Sequence, residues 1–315
     1  MNDINTKEFK HFPVMKKEAV ENLKIKADGI YADLTLGGGS HAMELAKKVE
    51  KGRIIAIDRD ADALEYSREK LKEFGDKIIF VKDNYANIGR IIEELGIDCI
   101  DGALMDCGVS SYQLDTESRG FSYMRDGALD MRMDQTQSLS AAEVINDYTP
   151  EKLRDILYNY GEERYTNLII REIIKRREVK RIETTAELAD IIKYAVRNVR
   201  YDGGHPAKRT FQAIRIAVNG EIDNIAPAIE SVVRHLKPGG RFVAITFQSI
   251  EDRAVKRAFV DFEKGCICPP NFPICVCENK PKVKIITRKP ILPSKEELEQ
   301  NSRSASAKMR VLEKL

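Results

Sequence analysis

Short apolar runs recur along the chain, most of them followed by a turn and then by a segment with helical spacing. Ile30-Tyr31-Ala32-Asp33-Leu34 predicts a first strand, the glycines Gly37-Gly38-Gly39 a turn, and roughly His41 to Val49 a helix. Arg53-Ile54-Ile55-Ala56-Ile57 predicts a second strand ending at Asp58. Ala61 to Phe74 then places Leu64, Leu71 and Phe74 as a helix would. Lys77 to Val81 reads as a third strand and Ile100 to Met105 as a fourth, ending at Asp106. Apolar strands alternating with helices predict a parallel, doubly wound α/β sheet.

The alternation stops in the middle of the chain. From about Gly127 to Gly204 no strand pattern is found, and Ser140–Ile145, Glu151–Tyr158, Asn167–Arg177 and Thr185–Val199 read as helices. Thr149 before Pro150 is a helix start, and Thr184 or Thr185 before Ala186 is another. Past this stretch, Phe211–Val218 and Ile225–Leu236 are helical, Lys237-Pro238-Gly239-Gly240 is a turn and Arg241–Phe247 a fifth strand. Lys282–Arg288 and Lys308–Glu313 are expected to pair antiparallel at the sheet edge. The domain expectation is a discontinuous sheet domain from residues 1–128 and 205–315, interrupted by an all-α insertion over 129–204.

Composition narrows the class. The chain has 315 residues and is 43% hydrophobic, enough for a substantial core and against disorder as its main description. No stretch approaches the roughly 20 apolar residues of a membrane span. Met1-Asn2-Asp3-Ile4-Asn5 shows no secretory signal, which predicts a cytoplasmic protein whose six Cys are free, metal-bound or reactive. The net charge of +2 is uneven. Lys280–Leu315 holds ten basic residues against four acidic, and Arg171–Arg209 eleven against six. Two basic segments on an acidic body fit an anionic macromolecular partner, and equally fit two solvated helix faces.

Ligands of such sheets bind outside the carboxyl ends of the strands. Asp33, Asp58, Asp83 and Asp106 all fall there, and the glycine turn leads into a helix start that offers N–H groups to an anion. Gly37 to Ala42 satisfies the G-x-G-x-x-G/A dinucleotide pattern. An acid immediately before that turn would repel a pyrophosphate, so the pattern favours S-adenosylmethionine. Asp33 would then serve its ammonium, the helix start its carboxylate and Asp58 its ribose. Asp33 and Asp83 can instead simply cap helices or turns.

Longer motifs are more specific than one glycine loop. Leu104-Met105-Asp106-Cys107-Gly108-Val109-Ser110-Ser111-Tyr112-Gln113-Leu114-Asp115, Arg119 to Gly127, Leu129 to Asp134, Tyr160 to Arg164, His205 to Arg215 and Ser249 to Arg253 occur in order. Together they closely resemble the RsmH (MraW) family over nearly the whole chain. The resemblance implies a class I (Rossmann-like) S-adenosylmethionine-dependent methyltransferase that modifies the exocyclic N4 of a decoding-region cytosine in 16S ribosomal RNA. It implies cofactor contacts at Gly39, Ser40, His41, Asp58, Tyr85, Asp106 and Gln113, and a small ribosomal subunit or its precursor as partner. The chain departs from the family at three positions: Ser40 where glycine is usual, Cys107 where leucine is usual, and Gln248 where histidine is common. Gln248 is accordingly left out of catalysis.

Amine methylation needs an acceptor for the N4 proton, and Asp106 is the candidate, unless it serves only the cofactor. Phe121 and Tyr123 could stack the target base or pack a subdomain junction. Arg119, Arg125, Arg132, Lys208 and Arg209 are candidate phosphate contacts, and His205 reads as a turn residue before Pro206. The insertion is expected to recognise RNA, with Arg176 and Arg177 the residues chosen to test it. Cys266-Ile267-Cys268 and Cys275-Val276-Cys277 form C-x-C-x6-C-x-C, a candidate zinc set or a reduced loop. Cys99 reads as core. Two other functions share the pattern: an NAD-type oxidoreductase, which lacks an evident hydride-transfer acid here, and a non-catalytic ribosome-assembly protein. Oligomeric state, homodimer or otherwise, is left open by the sequence.

Overall fold

The computed structural model describes residues 13–200, 204–265, 268–269, 272–277 and 279–315. In chain order α1 (Lys16–Leu23), β1 (Ile30–Asp33), α2 (Ser40–Lys48), β2 (Arg53–Asp58), α3 (Ala61–Lys70), β3 (Ile78–Lys82), α4 (Ile88–Glu94) and β4 (Ile100–Asp106) come first. Then follow α5 (Ser111–Asp115), α6 (Ala141–Asp147), α7 (Pro150–Gly161), α8 (Thr166–Arg177), α9 (Thr185–Ala195) and α10 (Ala207–Asn219). The chain closes with α11 (Ile225–His235), β5 (Leu236–Thr246), α12 (Ser249–Lys264), β6 (Val283–Ile285), α13 (Lys295–Gln300) and β7 (Lys308–Lys314).

Two compact units result: residues up to Gly108 together with Ile222–Leu315, and Val109–Glu221. The helical unit is therefore wider than the expected 129–204 at both ends. Its core explains why. Phe121, Phe211 and Ile214, all outside those bounds, are buried in one apolar cluster with Leu153, Leu157, Ile169 and Leu188. Thr149 caps α7 with Pro150 in the first turn, as expected. Of the two threonines before α9, Thr184 is the cap, in a capping box with Glu187. Among the described residues the only bridge recorded in this unit is Ala128 against Thr184.

The other unit is a seven-stranded sheet in the order β3-β2-β1-β4-β5-β7-β6. Strands β1 to β5 pair parallel, and β7 pairs antiparallel with both β5 and β6. The expected mixed α/β, doubly wound sheet is borne out. Ile55 and Ile57 of β2 join one core cluster while Ile54 and Ala56 join another, and β5 divides Phe242 and Ala244 from Val243 and Ile245 in the same way. Burial on both faces is why these strands read as unbroken apolar runs. Lys237 to Gly240 lies inside β5, where the pairing jumps from Ile100–Leu236 to Gly102–Arg241 and Gly239 takes φ +78°. Helix α3 stops at Lys70, short of Phe74, and 3-10 turns carry the chain past Gly75 at φ +52°. Helices α1, α4, α5, α12 and α13 are additions to the expected set. Among the described residues no helix is long and apolar enough to cross a membrane.

Candidate active site

Strand order places β1 between β2 and β4, so the connections leaving β1 and β4 part to opposite sides and open a crevice at their carboxyl ends. Register aligns the acids there. Asp33 pairs with Ala56 of β2 and Leu104 of β4, and Asp58 and Asp106 each lie two residues further on. Asp106 in turn pairs with Ile245 of β5.

The glycine turn is clamped from two directions. Asp58 accepts the Gly37 N–H on Oδ2 at 2.7 Å and the Asp60 N–H on Oδ1 at 2.9 Å. From α3, Ser67 donates to the Gly37 carbonyl at 2.8 Å, and Lys70 donates to the Gly38 carbonyl at 2.6 Å and to Ser40 Oγ at 3.1 Å. Ser40, the side chain standing where the family shows glycine, is thus turned to Lys70. Gly39 takes φ +71°, and a Cβ there would stand 3.0 Å from Leu71 Cδ1 and from Ser67 Oγ. Both the backbone conformation and the space demand glycine. The N-cap of α2 is Gly39, which has no side chain to cap it, and the Ala42 N–H of its first turn interacts with the buried Asp33 carboxylate.

Asp33 is 1% exposed. Its Oδ1 accepts the Thr35 N–H at 3.2 Å, while Oδ2 is buried with no hydrogen-bond partner. Burial pushes this carboxyl up to about 7, the Thr35 N–H pulling it down and the Asp58 charge pushing it further up. Asp58 is raised to about 6 by burial, against the N–H groups of Asp60 and Gly37. Asp106 is raised well above the ordinary carboxylate range, by burial first and then by the charges of Asp33, Glu251 and Glu297. Its Oδ1 is also buried without a partner, and its Oδ2 stands 3.9 Å from Nδ1 of His41. His41 Nε2 donates to the Val14 carbonyl at 3.1 Å, since a carbonyl can only accept. Following β5, Gln248 is the N-cap of α12 and shares a capping box with Glu251. That residue was set aside in the sequence. The one clue was its position in the Ser249–Arg253 motif. Thr35, which takes the Asp106 N–H at 2.7 Å, and the Ser67–Lys70 clamp leave no signal in the sequence, because they contact the site only through the fold.

Asp83 is spent locally, its Oδ1 accepting from the Asn84 N–H at 2.6 Å and Asn87 Nδ2 at 2.7 Å and its Oδ2 pairing with Arg90, while Asn84 caps the 3-10 turn that follows. Tyr85 opens the next 3-10 turn and is half-buried.

The second unit holds the remaining expected residues. Gln113 closes the capping box of α5, its Oε1 accepting the Ser110 N–H at 3.1 Å. Arg119 is not a phosphate contact. It is 2% exposed and donates to the carbonyls of Arg132 and Met133, both at 3.0 Å. Phe121 is core and offers no face to a base. Tyr123 stacks on His205 at 4.6 Å and meets Phe211 edge-on. The His205 Nδ1 accepts the Ala207 N–H at 3.2 Å, a turn-closing role, and burial lowers its pKa. Arg132 is committed to Asp130 and the Gln137 carbonyl. Arg125 is exposed and donates to the Asp115 carbonyl; Lys208 is exposed, and Arg209 spends one N–H on the Glu162 carbonyl. Arg176 pairs with Glu172 and Arg177 holds the Ile145 carbonyl, so neither is a clean probe of RNA binding. Arg171 and Lys175, one turn apart on α8, are exposed instead.

Residues 8–315 match the model of the MraW methylase family. The chain belongs to the MraW methylase family. It is 52% identical to a Finegoldia magna protein named ribosomal RNA small subunit methyltransferase H, over 98% of this chain and 99% of that one. A Clostridium botulinum protein of the same name is 54% identical over 98% and 100%, and one from Carboxydothermus hydrogenoformans 50% over 98% and 99%. The resemblance drawn from the ordered motifs is borne out, and this MraW methylase carries them at the places just described.

Proposed function

We propose that this chain transfers a methyl group from S-adenosylmethionine to the exocyclic N4 of a cytosine in the decoding region of 16S ribosomal RNA, in the small subunit or its precursor. The observation carrying this reading is the pair of buried, partnerless acceptors, Asp33 Oδ2 and Asp106 Oδ1, at the ends of neighbouring strands. Buried acceptors without donors cost about 1–3 kcal/mol each, so the site is built for a ligand that brings N–H groups and positive charge. A pyrophosphate would bring the opposite, which disfavours the NAD reading. A site so strained is also out of place in a non-catalytic assembly factor.

The residues fit the cofactor piece by piece. The start of α2 suits its carboxylate. Asp33 suits its ammonium. Asp58 suits the ribose, because two backbone N–H groups hold its carboxylate in place while each oxygen keeps capacity for a hydroxyl. Gly39, Ser40 and His41 belong to the turn and helix start that follow β1, and Tyr85 to the 3-10 turn that follows β3. When bound, S-adenosylmethionine supplies an electrophilic methyl on a sulfonium that departs as a neutral thioether. Asp106 accepts one N4–H, which localises the amine's lone pair, and takes the proton made acidic by the new N–C bond. The positive charge of the bound cofactor would favour the carboxylate form that this role requires, against the burial that raises the Asp106 pKa. The helical unit supplies RNA affinity through exposed basic residues such as Arg171, Lys175 and Lys208.

Labelled-methyl transfer to undermethylated small subunits tests the reading with Asp106→Asn. Turnover is expected to fall about a hundredfold with cofactor affinity nearly intact. Loss of affinity first, with turnover recovering at saturation, would reassign Asp106 to holding the cofactor.

A further inference from the structure

The connection between α12 and β6 carries chemistry that methyl transfer does not use. Its base is closed: the Lys282 N–H donates to the Phe262 carbonyl at 3.0 Å, and the Asn279 side chain donates to the Gly265 carbonyl. At its tip, among the described residues, the Phe272 N–H donates to the Pro269 carbonyl at 3.0 Å. Phe272 is 50% exposed, Ile274 74% and Val276 67%, so almost no apolar burial fixes its shape. Yet three thiols gather there. Cys268, Cys275 and Cys277 are not in disulfides, and their sulfurs all lie within 4.8 Å of one another. The Cys268–Cys275 separation is 4.0 Å and the Cys275–Cys277 separation 3.5 Å. Zinc–thiolate bonds of about 2.3 Å give a tetrahedral S···S edge of about 3.8 Å, midway between these values. The Val276 N–H also points to Cys268 Sγ at 3.4 Å, the backbone-to-sulfur contact that favours a thiolate.

We propose that Cys268, Cys275 and Cys277 bind one zinc ion that fixes this loop. Three soft sulfur donors within reach of one centre select zinc over hard cations, and a thiol-rich set is the signature of a structural site. Each thiol loses its proton to the solvent on binding, so affinity falls as the pH falls. Cys266, two residues ahead of Cys268, lies outside the described residues. The fourth ligand is settled by experiment.

Metal analysis of the full chain, purified without chelator in a thiol-free reductant, tests this. About one zinc per chain is expected. Cys275→Ser and Cys277→Ser should each lower zinc affinity by about tenfold or more, while Cys99→Ser leaves it unchanged. A parallel loss in Cys266→Ser identifies the fourth thiolate, and wild-type affinity there assigns that position to another ligand, with the three-thiolate site intact. Should the serine variants misfold, cobalt titration of the wild-type chain replaces them, with thiolate-to-cobalt charge-transfer bands and intense tetrahedral d–d bands expected. A chain that holds no zinc and shows no such bands, or wild-type zinc affinity in Cys275→Ser, overturns the proposal.

Discussion

Replacing Asp33 by Asn should make the ligand-free protein more stable at high pH, although the residue sits in the candidate active site. The Asp33 carboxyl is held up to about 7, far above the ordinary aspartate value of about 4, chiefly by burial. The folded state therefore binds a proton that the unfolded chain releases between about pH 4 and pH 7. In that window the folded state carries more protons, so stability falls as pH rises. The penalty is absent below about pH 4 and complete above about pH 7. Integrating between the two pKa values, the wild-type chain loses about 2–3 kcal/mol from this one group between pH 5 and pH 8. Asn keeps the oxygen that accepts the Thr35 N–H and cannot titrate. It leaves an amide donor where Oδ2 stood, at a cost of about 1–3 kcal/mol that does not depend on pH. Urea unfolding at pH 5 and pH 8 separates the two effects. The gap between variant and wild type should move in favour of the variant by about 2–3 kcal/mol across that range, while S-adenosylmethionine binding weakens. Parallel pH profiles for the two proteins would refute the buried-charge argument.

Two further outcomes follow from the geometry. Asp58→Ala removes the acceptor for the Gly37 and Asp60 N–H groups as well as the proposed ribose grip, and should weaken S-adenosylmethionine binding about tenfold or more by calorimetry, about 1.5–3 kcal/mol; equal affinity would remove the ribose assignment. Arg171→Ala with Lys175→Ala should lower RNA affinity and reduce the slope of log K against log salt by about two, with cofactor binding untouched; an unchanged slope would mean the face is only solvated.

How much of this could be read in advance depends on whether the cause was local. β1, β2, β4 and β5 were legible because burial on both faces writes an apolar run into the sequence itself. The acids at their ends were legible because strand ends are. Helix α4 has seven residues, too few for periodicity to declare itself, and its approach is set by Asn84 accepting the Ala86 N–H. Helix α12 does space Val255, Ala258 and Phe259 correctly, but the charged motif of its first turn masks the pattern. The bounds of the helical unit depend on which core Phe121 and Phe211 join, a tertiary matter. Arg119 shows the same limit: an arginine in a glycine-rich motif suggests phosphate, whereas here two backbone carbonyls claim it. Nor do residue types reveal which carboxyls have raised pKa values, because burial decides that.

The central claim is the identity of the methylated atom. Small ribosomal subunits from cells lacking this protein, incubated with the purified chain and S-adenosylmethionine and digested to nucleosides, place it under mass spectrometry directly. The account predicts N4-methylcytosine arising only with the wild-type chain and nearly absent with Asp106→Asn. A methylated nucleoside of any other kind, or no methylation of RNA by a chain that binds the cofactor, would contradict it.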